Sequence, residues 1–300
     1  MDSQGRLKEL EQCRLCPRNC GVDRYNTQGV CGAPAQVYAA RAALHFWEEP
    51  CISGTRGSGA VFFSGCNLHC VYCQNREIST HIKGKEVTPA QLAQTFLRLQ
   101  DQGAHNINLV TGTHYLPQII RALELAKLQI PVVYNTSGYE KAEFIKGLEG
   151  LVDIYLPDFK YTSPERARKY SHAVDYPEVA KEALAEMVRQ IPEPIFDTEG
   201  MMQKGVIVRH LLLPGGREDS LAVVKYLHET YGDKIYMSLM KQYTPLITDP
   251  AYPELSRKIK RREYERVVQY ALDLGVENAF IQEGGTAKES FIPIFDGTGV

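Results

Sequence analysis

From residue 60 onward the chain alternates short apolar, β-rich runs with longer segments whose apolar residues recur at helical spacing. Seven runs read as strands: residues 60–64, 106–110, 131–134, 151–156, 206–213, 235–239 and 279–282. Helices are expected near residues 116–128, 177–190, 220–231 and 260–274. An earlier one carries Leu92, Phe96 and Leu99 on one stripe, opened by a capping box of Thr88 and Gln91 with Pro89 at its first position. Strands joined through helices pair in parallel by right-handed crossovers, so the chain must form a full or partial barrel or an open doubly wound sheet. In either, ligands bind beyond the carboxyl ends of the strands.

Those ends are chemically loaded. The first strand runs into a cysteine loop, and the second into Thr111-Gly112-Thr113-His114. The third leads to Asn135-Thr136-Ser137-Gly138 and the fourth to Pro157-Asp158-Phe159-Lys160. The fifth carries Arg209 and His210, of which strand alternation sends only one inward, and ends in Pro214-Gly215-Gly216. Gln242 and Tyr243 follow the sixth, and Gln282-Glu283-Gly284-Gly285 the seventh. Polar, glycine-rich loops in step at one end of a sheet imply a shared ligand site.

All eight cysteines lie within the first 73 residues. Cys66, Cys70 and Cys73 sit in "SGCNLHCVYCQN", and thiolates favour zinc or iron–sulfur clusters. Structural zinc closes four ligands, so a zinc reading needs His69 or a distant residue as the fourth. A 4Fe–4S cubane on three cysteines keeps one iron open to a chelating small molecule. Upstream, Cys13, Cys16, Cys20 and Cys31 can close a site of their own, holding zinc or a second cluster. Pro17, Gly21 and Gly32 allow its tight turns, and Cys51 reads as a small buried residue.

The C-x3-C-x2-C loop after a first strand, with an aromatic before its last cysteine, resembles the radical SAM signature. "GCNLHCVYCQN", with "NINLVTGTHYLPQII", "VYNTSGYE", "DIYLPDFKY" and "VRHLLLPGG", is similar to the pyruvate formate-lyase activase-like (PflX-type) branch. The resemblance implies a partial or full TIM-like (β/α) barrel over residues 51–300, preceded by a cysteine-rich metal-binding segment over residues 1–50. It implies that Cys66, Cys70 and Cys73 hold a 4Fe–4S cluster whose open iron chelates S-adenosylmethionine (SAM). Reductive cleavage would then give a 5′-deoxyadenosyl radical that abstracts hydrogen from a protein, peptide or small molecule, glycyl-radical-enzyme activation included. Reduced flavodoxin or ferredoxin would supply the electron.

By the same resemblance Tyr72 packs near the adenine or walls the loop, and Thr111, Gly112 and Thr113 stand where the methionine amino group is received. The acidic residue usual there is absent. Asn135 and Ser137 fall at the ribose, Asp158 and Lys160 match the Asp-x-Lys of activating enzymes, and Arg209 matches a fifth-strand arginine. Gln242 and Tyr243 replace the histidine those enzymes carry after the sixth strand.

A net charge of -2 gives no nucleic-acid or polybasic membrane footprint. The basic "RKIKRREYERV" and acidic "EKAEFIKGLEG" segments read as exposed helix faces. No run is long and apolar enough to span a bilayer, and the polar N-terminus lacks a signal-peptide core, so a reducing cytoplasm is expected. The competing class is a non-catalytic zinc or iron–sulfur binding or electron-transfer protein, which leaves the polar strand ends unexplained.

Overall fold

The computed structural model describes residues 6–246, 249–282 and 293–300. Ten strands form one sheet: β1 Val37–His45, β2 Ser58–Phe63, β3 Lys85–Val87, β4 Ile107–Val110, β5 Val132–Thr136, β6 Ile154–Pro157, β7 Ile195–Phe196, β8 Met202–Leu211, β9 Tyr236–Met240 and β10 Ala279–Ile281. Helices of eight residues or more are α1 Pro89–Asp101, α2 Leu116–Ala126, α3 Pro164–Ser171, α4 Tyr176–Gln190, α5 Arg217–Tyr231 and α6 Arg261–Asp273.

The strand order is β10-β9-β8-β6-β5-β4-β2-β1-β3, with β7 beside β8. From β2 to β10 the neighbours are parallel and follow sequence order without reversal. A doubly wound sheet reverses direction at a switch point; a steady march of this kind is barrel winding. Among the described residues the sheet stays open between β10 and β3, so the barrel is partial. Its central strands are buried throughout, as both faces of a covered parallel sheet must be. The capping box on α1 forms as expected, with Gln91 N donating to the Thr88 hydroxyl and Thr88 N to Gln91 Oε1.

Three strands lie outside the expected alternation. β1 runs antiparallel to β2, β3 antiparallel to β1, and β7 antiparallel to β8. β1, "VYAARAALH", is rich in alanine and has only Val37 of the β-branched residues that mark a strand. The sheet therefore begins at Val37, ahead of the boundary drawn at residue 50. The 140–150 segment is also not an exposed helix. It forms two short turns, Ala142–Ile145 and Lys146–Leu148, that bury Ile145 and Leu148, while Glu140 is only 2% exposed. In the basic segment, α6 buries Tyr264 and Val267 and exposes Arg261, Arg262, Glu265 and Arg266.

Candidate active site

The loops at the carboxyl ends of β2, β4, β5, β6, β8 and β9 line one cavity of about 400 Å³. Gln282, after β10, also lines it, whereas Glu283, Gly284 and Gly285 lie outside the described residues. Cys66, Cys70, Tyr72, Cys73, Thr111, Asn135, Ser137, Asp158, Lys160, Arg209, Gln242 and Tyr243 all reach its wall.

The cysteine loop leaves β2 through Gly65, at φ +90°; a side chain there would put its Cβ 2.8 Å from the Cys31 carbonyl oxygen. That close approach lets Cys66 N donate to Cys31 O at 3.2 Å, docking the loop on the N-terminal cysteine segment. His69, also at positive φ, turns its Nε2 to the Val30 carbonyl at 2.6 Å. Burial, reinforced by Cys73 and Cys70, pushes the Cys66 thiol up to about 12, and burial raises Cys73 too. Such sulfurs ionise only against positive charge, which the irons of a cluster supply. No three Cys, His, Asp or Glu side chains among the described residues converge on one ion-sized point. Each cubane thiolate takes its own iron, so three cysteines spread around one cavity at the end of a parallel sheet fit that group.

Opposite the cysteines lies a charged network. Arg209 donates from Nε to Asp158 Oδ1 at 3.1 Å, from Nη1 to Glu48 Oε2 at 3.1 Å, and from Nη2 to Asn135 Oδ1 at 2.5 Å. Lys160 Nζ donates to Asp158 Oδ2 at 2.7 Å. Glu48 Oε1 also accepts from Asn108 at 3.0 Å and Asn135 at 3.3 Å. Burial alone would raise Asp158, but Lys160 and Arg209 outweigh it and hold the carboxyl below its ordinary range. Burial likewise opposes charge on Lys160 and Arg209, yet their carboxylate neighbours keep both raised. Beside them, burial and then Arg209 lower His45 to about 4. His210 points away from the cavity, onto the Phe159 carbonyl and Ser220 Oγ.

Gly112 and Thr113 do not line the cavity. Thr113 Oγ1 donates to Glu140 Oε1 at 2.5 Å, and Thr136 and Tyr134 bond the same oxygen. Burial raises Glu140 to about 7 despite those three donors. Thr111 stands at φ +58°, a strained backbone for a β-branched residue, with its N–H on Asn135 O at 2.8 Å. Gly138, at φ +78°, is required where the next loop crosses within 2.3 Å, Cβ to oxygen, of the Asp158 carbonyl.

Glu48, Asn108 and Glu140 are functional-site neighbours that the sequence reading passed over. The signal for Glu48 is an acidic pair directly before Pro50, hidden because it follows a strand that is antiparallel and alanine-rich.

The N-terminal quartet lies on the other side of the loop, its cysteines close enough to act on one another's charge but not converged on one ion-sized point. Cys13 N donates to Val22 O at 2.8 Å, and Val30 N donates to Cys20 Sγ at 3.4 Å. Burial and then its neighbours Cys31 and Cys20 push the Cys16 thiol to about 12, only the nearby Arg18 backbone N–H acting the other way. Arg24 is buried, donates to the carbonyls of Ala33, His114 and Pro34, and lies 3.9 Å from Cys13 Sγ. All eight cysteines are free thiols.

Residues 60–215 match the family described as the Radical SAM superfamily. The uncharacterized protein MJ0674 of Methanocaldococcus jannaschii is 29% identical over 88% of this chain and 77% of its own length. A pyruvate formate-lyase-activating enzyme from Clostridium pasteurianum is 32% identical, over 35% of this chain and 46% of its own. Among solved structures, a radical SAM methyltransferase from Sphaerobacter thermophilus superposes with a TM-score of 0.50 at 15% identity, covering 74% of this chain and 65% of that one. The chain thus spans less than half of the activating enzyme and just under two thirds of the methyltransferase.

Proposed function

The chain belongs to the Radical SAM superfamily, and from that premise we propose that Cys66, Cys70 and Cys73 hold the 4Fe–4S cluster of a SAM-cleaving enzyme acting on an organic or polypeptide substrate. The reading is carried by one observation: three buried or half-buried cysteines share a cavity with polar groups from every neighbouring strand end. When bound, the cluster and SAM together supply one-electron cleavage of the sulfonium and a 5′-deoxyadenosyl radical.

The chain's own residues bind, orient and shield. Lys160 and Arg209 offer cationic donors to a carboxylate, while Glu48 and Asp158 offer acceptors to an amine or sulfonium. Because these four neutralise one another, they hold each other in place, and binding costs little reorganisation. Asn135, Ser137 and Thr111 present hydroxyl and amide groups suited to ribose. Thr113, committed to Glu140, serves by propping its loop rather than by touching ligand. Tyr72 and Tyr243 wall the cavity and keep water from the reacting centre. At its mouth, Phe46 and Trp47 are 49% and 63% exposed and offer apolar area to a substrate.

The quartet of Cys13, Cys16, Cys20 and Cys31 is proposed as a second metal site, for zinc or a further cluster. Buried Arg24 supports this: its hydrogen bonds among the described residues go to carbonyls and to Cys13 Sγ, and no carboxylate pairs with it there, so metal-bound thiolates would offset its charge.

Anaerobic reconstitution is expected to load about four irons and four sulfides at the Cys66 loop. With a strong reductant, or with reduced flavodoxin or ferredoxin, the loaded protein should convert SAM to 5′-deoxyadenosine, and Cys70→Ala should not. A complete cluster that never cleaves SAM would sink this reading. Glycyl-radical-enzyme activation predicts a doublet in electron paramagnetic resonance with the correct partner protein.

A further inference from the structure

A file of three hydroxyls leads from the cavity wall to one of the three cysteines. The Tyr72 and Tyr161 hydroxyl oxygens lie 2.7 Å apart, those of Tyr161 and Ser171 2.9 Å apart, and Ser171 Oγ lies 3.1 Å from Cys70 Sγ. Tyr161 and Ser171 are fully buried, and Tyr72 nearly so.

Ser171 is held from outside the file as well. It is the last residue of α3, and its carbonyl accepts from Arg18 Nη2 at 3.1 Å. The same guanidinium donates to His172 O at 2.6 Å, to Asn67 O at 2.8 Å and to Leu68 O at 3.3 Å. One arginine from between Cys16 and Cys20 thus pins the end of α3 to the cysteine loop.

Proton counting fixes the direction of the file once Cys70 is a ligand. A thiolate can only accept, so Ser171 must donate to it, Tyr161 to Ser171, and Tyr72 to Tyr161. Three hydrogens then serve three contacts, each hydroxyl polarised by the one behind it. A hydrogen bond donated to a ligating sulfur favours the more negative, reduced form of a cluster over the oxidised form.

We propose that Ser171, polarised by Tyr161 and Tyr72 and held by Arg18, is a positioning residue that raises the reduction potential of the cluster on Cys66, Cys70 and Cys73. This rests on the reading of those cysteines as cluster ligands. The half-reaction is the uptake of one electron by the oxidised cluster from an external reductant, with no proton transferred from the file.

The test is a mediated redox titration of the reconstituted full-length protein, followed by electron paramagnetic resonance, with iron and sulfide counted in each sample. Wild-type protein that assembles no 4Fe–4S cluster overturns both the ligand reading and this inference. Given the wild-type cluster, Ser171→Ala should lower the reduced-to-oxidised ratio at the wild-type midpoint about fivefold, the worth of one hydrogen bond. Ser171→Thr, which keeps the hydroxyl, should restore the ratio to within about twofold, and Tyr161→Phe should lower it about twofold. An unmoved midpoint in fully loaded Ser171→Ala, or a shift that Ser171→Thr fails to reverse, overturns the inference while leaving the ligand reading intact. If Ser171→Ala does not assemble its cluster, Tyr161→Phe decides in the same way: a lowered ratio supports the inference and an unmoved midpoint overturns it.

Discussion

Glu140 shows how one buried carboxyl can bind two ligand-facing loops. It accepts from Thr113 after β4 and from Thr136 at the end of β5, where burial raises it to about 7 from an ordinary 4.5. The folded protein therefore keeps a proton that the unfolded chain releases between those values. Glu140 contributes stability at low pH that is lost as pH rises through 7, on the order of 3 kcal/mol across the window. Glu140→Gln should remove that component: its thermal midpoint should fall less than wild type's between pH 5 and pH 8, as differential scanning fluorimetry would measure. Equal slopes for the two proteins would contradict the assignment. Residues of this kind were hard to read from the chain. Cys66, Cys70 and Cys73 announce themselves by spacing, but Glu140 sits in a segment that looks like any charged surface helix. Only the fold turns it inward, against hydroxyls that lie 4 and 27 residues away.

At the level of elements, the parallel strands and the longer helices stood in the sequence nearly as they stand in the structure, because their apolar periodicity and caps are local properties. β1, β3, β7 and α3 did not. β1 is alanine-rich, β3 and β7 are two or three residues long, and α3, "PERARKYS", is mostly polar. Each of these is held by its neighbours rather than by its own pattern. Conversely α1, legible from its capping box, should depend on it. Thr88→Ala is expected to cost about 1 kcal/mol, read as a lowered denaturant midpoint with no change in iron content. The site was legible wherever a polar residue ended a predicted parallel strand, as with Asn135, Asp158 and Arg209. It was illegible where a partner came from the loop after β1, as Glu48 does, since nothing local says that an antiparallel strand will deliver its loop to the cavity.

The whole molecule is an open barrel whose early and late segments meet. Gly297 N donates to Ala40 O at 2.8 Å and Ala42 N to Thr298 O at 3.0 Å, so residues 297–298 pair along β1. Among the described residues β3 covers Val37, Tyr38 and Ala39 of β1, and this late segment covers part of the rest of that side. A chain truncated after residue 292 should expose those backbone groups and self-associate, seen as a larger species by size-exclusion chromatography with light scattering. A monomer of unchanged thermal stability would show that the segment is dispensable. The lacing also bears on how the molecule comes together in time. Successive strand–helix–strand units are near neighbours in sequence and can form early, whereas Arg41 meets Ile294 across 253 residues. Closing a loop of that length is entropically expensive, and contacts of high sequence separation slow folding. The loop after the antiparallel β1, which carries Glu48, should therefore be the last part of the active site to become rigid, after the cysteine loop and the parallel strand ends are already in place.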